Sequence, residues 1–389
     1  MPDPAPDAID AADNFLAECV RCAGRGEPFP DWPTGLAGME CTVSGRIAFH
    51  GIALLLINSG SDFPGWPQTV LEAARDEARI QPFWEDDHRT ALSILIEALH
   101  QAGIETAVMK GTALAYSVYP NPALRRRGDT DLLIEHAPRK SVRTLLRASG
   151  FHQRGDRRPL QESWAIATDA GFTHEIDLHW RISASMAVSQ AFERDHPRKR
   201  LVALPRLSAH AKSIAPLDSF IQICMNRAAH DEFGYLVEDR KVFGGNRLVW
   251  AIDLDRLGQS FGPHGWDSLA RIATCCGAAG IVASGMDFAR RTLGSSVPEA
   301  IEQRLLQAAA GDDTISRYFT NRPALTRMSE DMAGADTFAD KAAFLISHLF
   351  PGREFMANHF PGSDRWPIPL LWARRVLDAG WRKLLGGQR

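Results

Sequence analysis

The sequence predicts an α+β protein: a small mixed sheet flanked by a largely helical N-terminal extension and a largely helical C-terminal domain. Two observations carry this. Strand-like stretches are concentrated between Ile104 and Trp180, where short apolar runs alternate with polar residues and break at Gly, Pro or Asp. On either side, apolar residues recur every three or four positions, the period of amphipathic helices. The organisation follows as residues 1–103, a helical extension or cap; 104–183, an α/β core; and 184–389, a helical domain.

The bulk composition is that of an ordinary globular protein. The chain has 389 residues, 45% hydrophobic and 23% charged, with a net charge of -3. No global basic field points to nucleic acid or an anionic membrane. No apolar run reaches membrane-spanning length, and the acidic, Pro-rich start MPDPAPDAIDAAD is the reverse of a signal peptide. A reducing, cytoplasmic setting is expected. Six cysteines are too few for a disulfide framework in this length. Cys19 and Cys22 form a CxxC without a second pair at zinc-finger spacing, and Cys275 and Cys276 are expected to be core thiols.

Along the extension, residues 1–13 read as disordered and Phe15–Cys22 as a short helix. Thr42–Asn58 predicts one buried helix, Thr69–Ala78 a second, and Pro82–Ala102 an amphipathic third ended by Gly103. Thr106–Met109 is then a strand, stopped at Lys110-Gly111, and Thr112 opens a helix that closes before Pro120. A loop carrying Arg125, Arg126 and Arg127 leads into the strand Asp129–Ile134. Arg139–Ala148 is a helix, and strands are expected at Phe151–Arg154, Ser163–Thr168 and Phe172–Trp180. Beyond Ser183 the strand signal fades and helices dominate.

Chemistry concentrates in VMKGTALAYSVYPNPALRRRGDTDLLI and, later, HEIDLH. Side chains alternate along a strand, so Asp129 and Asp131 share a face. Two carboxylates there repel each other, and a divalent cation removes that cost. Asp177, framed by Ile176 and Leu178, is placed to add a third carboxylate from a neighbouring strand. Glu175 lies two residues earlier on the same face and competes for that role. Phosphoryl and nucleotidyl transfer need this equipment: charge neutralised on non-bridging oxygens, an oriented nucleophile and a stabilised leaving group. Gly111 at a strand-to-helix turn lets backbone approach a phosphate, and the following helix aims free amides at it. Thr112 offers a hydroxyl, Lys110 a point charge and Arg125 a planar fork. Taken singly, an Asp-x-Asp or a Lys-Gly turn is weak evidence; their order and separation are more specific. His179, on the Asp177 face, is a hydrogen-bond donor behind the acids, a phosphate contact, or a structural residue at a strand end. Trp180 is expected in the core.

These residues, Lys110-Gly111, Tyr119-Pro120, Arg125, Asp129-x-Asp131-Leu-Leu and Ile176-Asp177-Leu178-His179-Trp180, resemble the uncharacterised nucleotidyltransferase family of the DNA polymerase beta-like superfamily. The likeness extends to His230, to Arg247-Leu-Val-Trp-Ala-Ile-Asp253-Leu, to Pro351-Gly-Arg and to Arg374-Arg375, spanning roughly residues 85–380. It implies a polymerase beta-like core in which Asp129, Asp131 and Asp177 hold Mg²⁺, with Mn²⁺ as an alternative, and Gly111 receives the nucleotide. It implies transfer of a nucleoside monophosphate from a nucleoside triphosphate to an acceptor that is a small molecule, a protein or RNA. The second small residue of the superfamily's turn is usually serine; here it is Thr112, which keeps the hydroxyl. Kinase-like transfer to a small molecule, a non-catalytic scaffold and a toxin-like modifier of protein or tRNA remain the alternatives.

Overall fold

The computed structural model describes residues 6–134, 138–156, 158–237, 240–244, 246–320, 322–360, 362–363 and 365–384. The extension contains helices α1 (Pro6–Arg25), α2 (Glu40–His50), α3 (Ala53–Ile57) and α4 (Gln68–Gln101). The core follows as β1 (Thr106–Met109), α5 (Lys110–Ser117), β2 (Asp129–Ile134), α6 (Arg139–Ala148), β3 (His152–Arg154), β4 (Gln161–Ala167) and β5 (Thr173–His179). Next come α7 (Met186–Glu193), β6 (Val202–Ala203), β7 (Lys212–Ser213) and α8 (Pro216–Phe233). A two-stranded hairpin, β8 (Tyr235–Val237) and β9 (Arg240–Val242), precedes α9 (Leu248–Gln259), α10 (Pro263–Cys276) and α11 (Ala279–Leu293). The rest of the described chain is helical with connecting loops.

The fold is α+β with a central mixed sheet and helical regions before and after it. Seven strands lie in the order β3-β4-β5-β2-β1-β7-β6. β2 runs parallel to β5 and antiparallel to β1, and β4 runs antiparallel to β5. Alternation gives the sheet two chemically different faces. One carries Val108, Leu132, Ile134, Trp164, Ile176 and Leu178, packed with Leu92, Leu95, Ile96 and Leu99 of α4 and Val142 and Leu146 of α6. On the other, Ala107, Met109 and Leu133 join a large cluster built from α1–α4 and from the helices after Ser183. The acids sit on this second face, so the helical regions on both sides of the core surround it.

Several elements differ from the expectation, each for a local reason. Residues 1–5 lie outside the described residues, but α1 already begins at Pro6. Proline suits a first helical turn, Asp7 complements the helix dipole there, and Ala12, Leu16, Cys19 and Val20 bury one stripe. The apparent single helix over 42–58 is broken at Gly51, whose φ of 67° is left-handed and whose N–H closes α2. The two helices expected over 69–102 are one, continuous through the exposed Pro82. Buried positions from Val70 to Ala78 and from Leu92 to Leu99 continue on both sides of the proline, so packing outweighs its lost hydrogen bond. β6–β9 were not legible: two- and three-residue strands carry no period. Cys276 is buried as expected; Cys275 is exposed.

Close packing of α8 on α11 depends on Gly285. A Cβ there would meet the Cys224 sulfur at 2.4 Å. Gly285→Ala is therefore expected to lower stability by about 1–3 kcal/mol despite alanine's better helix propensity. Urea denaturation of the variant checks this.

Candidate active site

β1 and β2 are joined through α5, and this connection sets the site. Lys110, the first residue of α5, has a left-handed backbone with φ 50°. A non-glycine residue there costs about 1–2 kcal/mol, which the surrounding contacts offset. Its N–H donates to Gln222 Oε1 of α8 at 3.2 Å, and its ammonium donates to Asp131 Oδ1 at 2.5 Å. Strain thus falls on Lys110, beside the glycine that sequence reasoning singled out. Gly111 matters through proximity: a Cβ would stand 3.3 Å from Arg125 Nη1.

Asp131 is the hub. The parallel pairing of β2 with β5 sets Asp131 directly against Asp177, and Asp129 against Glu175. Asp131 is buried and also accepts from His179 Nε2 at 2.8 Å. Oxygens of Asp131 and Asp177 and a nitrogen of His179 all lie within 4.8 Å of one another. Asp177 is half-buried and oriented from the next strand: Ser163 Oγ donates to Oδ1 at 2.6 Å and Gln161 Nε2 to Oδ2 at 2.5 Å. Sequence reasoning missed Gln161 and Ser163. Their signal was the alternation Gln161-x-Ser163 on a strand whose start had been placed two residues late.

Electrostatics separates the two acids of β2. Burial alone would raise the Asp131 carboxyl, but the Lys110 ammonium and the His179 hydrogen bond outweigh it and hold Asp131 well below the usual range. Asp129 is exposed at the start of the strand, on the same face as Asp131. Loss of bulk water and then the Asp131 charge push its carboxyl up to about 7, against the partial compensation of Lys110. The Lys110 ammonium is held above its ordinary value: burial lowers it, but Asp131 and Asp129 raise it further. Asp129 is therefore half-protonated near neutrality, and a cation binding there would displace that proton. Divalent-cation affinity is expected to rise as pH increases from about 6 to about 8, because the proton competes below the raised Asp129 value. A Mn²⁺ titration across that range reads the slope.

The other candidates are placed as follows. Glu175 is half-exposed, 3.9 Å from the Arg154 guanidinium at the rim of the site face. The Thr112 hydroxyl is buried on the opposite side of the sheet, 2.8 Å from the Thr130 hydroxyl, and accepts from Arg127 Nε at 2.9 Å. Arg127 in turn pairs with Glu85, and His88 contacts Thr130, so this network fastens α4 to the core. Arg125 forms a buried fork with Asp253 of α9, at 2.8 Å and 2.7 Å, while Nη1 donates to the Arg126 carbonyl. It backs Gly111 from below the turn and ties α9 to the core. His230 lies on α8 with its ring between Tyr235 and Trp250, 4.6 Å and 5.0 Å away between centroids. Burial, then Lys110 and Arg247, push its imidazole down to about 4, so it is neutral at physiological pH.

An oxygen-rich set on two adjacent strands, with its carboxylates fixed by neighbouring donors, suits a hard divalent cation. The acids lie at the start of β2 and the end of β5 in a mixed sheet, after a strand–turn–helix, an arrangement consistent with a nucleotidyltransferase-type core. A family model described as "Uncharacterised nucleotidyltransferase" matches residues 46–294, and the chain belongs to that family, within the polymerase beta-like superfamily. Among solved structures, an antigenic nucleotidyltransferase-like protein from Paracoccidioides brasiliensis is 15% identical; the match covers 56% of this chain and 96% of that one, with a TM-score of 0.36. At that identity and score the likeness transfers no residue role. No curated protein matches the chain. Among the described residues no helix is long and apolar enough to cross a membrane.

Proposed function

We propose that this protein is a metal-dependent nucleotidyltransferase that moves a nucleoside monophosphate from a nucleoside triphosphate to an acceptor. The carrying observation is the direct pairing of Asp131 with Asp177 across parallel strands, with Asp129 on the same face. Asp129, Asp131 and Asp177 are the proposed metal ligands. A bound Mg²⁺ or Mn²⁺ supplies charge neutralisation on the phosphoryl oxygens.

The chain's own groups do the positioning. His179 and Lys110 fix Asp131, and Gln161 and Ser163 fix Asp177. The Lys110 ammonium and the α5 amides after Lys110, whose own N–H is taken by Gln222, face incoming phosphate. An acceptor hydroxyl or phosphate oxygen attacks the α-phosphorus; the bond from that phosphorus to the bridging oxygen breaks, and pyrophosphate leaves with the electron pair. Asp177, whose carboxylate lies on the acceptor side in this reading, takes the acceptor proton. Arg125 and Thr112 support the turn from behind, through Asp253 and Thr130.

The test is incubation of the purified protein, Mg²⁺ or Mn²⁺ and an extract of small molecules, RNA and proteins with α-labelled or γ-labelled nucleoside triphosphates. Label retained in a product from the α position, and absent from the γ position, is the expected result. Product carrying only γ label would replace this reading with kinase-like transfer, and no product together with no nucleotide binding would replace it with a scaffold.

A further inference from the structure

Around the acid cluster the cations are almost all matched. Lys110 pairs with Asp131, Arg125 with Asp253, Arg126 with Glu77 and Arg127 with Glu85. Arg247 departs from the pattern. It is half-buried, its Nε donates to the Phe49 carbonyl at 2.7 Å, and it has no carboxylate partner among the described residues. Its guanidinium also faces the rings of Phe49 and Trp250, 5.5 Å and 5.7 Å from the guanidinium carbon. Burial, and then Arg125 and Arg126, push the guanidinium down to about 10. A partly desolvated guanidinium among like charges is unfavourable unless an anion completes it.

Two more polar groups adjoin it without partners. His230 Nδ1 and the Tyr235 hydroxyl are both enclosed and unbonded among the described residues. Their rings are 4.6 Å apart, and Trp250 packs against both the His230 ring and the Arg247 guanidinium. Buried polar groups are nearly always hydrogen-bonded, so two orphans beside an unmatched arginine point to a shared ligand. All three are able to donate at neutral pH: a guanidinium, a phenol and a neutral imidazole in one tautomer. Such a set fits oxygens that only accept, as in phosphate. Tyr235 opens the hairpin β8–β9, which is bounded by Gly234 and Gly244 with φ of 66° and 154°. His230 lies on α8, the helix whose Gln222 accepts from the Lys110 N–H at 3.2 Å, so α8 links this donor set to the turn that holds Asp131.

We propose that Arg247, His230 and Tyr235 form the seat of the terminal phosphates of a nucleoside triphosphate whose α-phosphorus lies at Asp131 and Asp177. This rests on the nucleotidyltransferase reading for the identity of the ligand, but not for the existence of a polyphosphate site. The donors then hold the leaving pyrophosphate, and a nucleoside monophosphate does not reach them.

Calorimetry with Mg²⁺ tests this, using inorganic tripolyphosphate, a non-hydrolysable nucleoside triphosphate and the matching monophosphate as probes. Arg247→Gln is expected to weaken the first two by at least about tenfold and to leave the third unchanged. His230→Phe, which keeps a ring between Tyr235 and Trp250, is expected to weaken them by a smaller factor. Arg247→Lys should recover part of the loss. Thermal denaturation of each variant separates binding from misfolding, and His230→Phe provides the answer if Arg247→Gln does not fold. Wild-type protein that binds no tripolyphosphate, or variants that bind it as wild type does, would overturn the proposal. If the variants lose tripolyphosphate but no α-labelled product is ever formed, the anion site stands and the transfer reading falls. If α-labelled product forms while the variants bind as wild type does, the transfer reading stands and this inference falls.

Discussion

Replacing Asp131 with asparagine is expected to lower the proposed nucleotidyl transfer by roughly a thousandfold or more, about 4 kcal/mol of transition-state stabilisation. The substitution nearly conserves shape. It removes the charge that accepts from Lys110 and His179 and that stands opposite Asp177. It is the most damaging single change because Asp131 is buried and held fully ionised, whereas Asp129 is exposed with a carboxyl raised to about 7. Asp177→Asn should cost nearly as much, since Gln161 and Ser163 orient it from β4. Ser163→Ala, which removes one of those donors and leaves the charge, is expected to lower turnover by about tenfold or less. Single-turnover assays with α-labelled nucleotide, alongside a thermal melt of each variant, measure this ordering. Equal activity of Asp131→Asn and wild type would remove Asp131 from the site.

The largest expected stability loss lies away from the acids. Asp253 is fully buried and accepts from Arg125 Nε, Arg125 Nη2 and the Tyr119 hydroxyl. Asp253→Asn leaves the Arg125 guanidinium uncompensated in the interior, and about 3–5 kcal/mol of stability is expected to be lost. A buried pair broken on one side costs more than a pair removed entirely, so Arg125→Met combined with Asp253→Leu should lose less than Asp253→Asn alone. Urea denaturation of the three proteins reads this directly. Because Arg125 also packs under Gly111, both variants should shift the α5 turn and weaken nucleotide binding without touching a proposed metal ligand.

These two residues illustrate what the sequence makes legible. Asp129, Asp131 and Asp177 were readable because strand alternation converts spacing into a shared face, and an apolar frame marks each strand. The pairing of Asp131 with Asp177, however, is a matter of register between strands more than forty residues apart, and spacing within one strand does not encode it. Arg125 and Thr112 were read as phosphate contacts because their chemistry suits phosphate. Their partners, Asp253 and Thr130, lie on a distant helix and on the far face of β2, where no local pattern announces them. Gly111 was read as the permissive turn residue, but the left-handed backbone belongs to Lys110; a lysine there gives no conformational signal in sequence. In the fold, long periodic stripes such as Leu92–Leu99 were visible, and the two-residue strands β6 and β7 at one end of the sheet were not. The Pro82 and Gly51 errors ran in opposite directions for one reason. Whether a breaker ends a helix depends on the packing of the faces beside it, not on the breaker alone.

The most direct measurement is a Mn²⁺ titration followed by electron paramagnetic resonance, with and without a non-hydrolysable α,β-methylene nucleoside triphosphate. Wild type, Asp131→Asn, Asp177→Asn and Gly285→Ala would be compared, the last as a destabilised protein with an intact site. The expected result is Mn²⁺ binding to wild type and Gly285→Ala that tightens when the nucleotide is present, and at least about tenfold weaker binding to both acid variants. Mn²⁺ binding of equal affinity in all four proteins would contradict the assignment of the cation to Asp131 and Asp177, and with it the proposed chemistry.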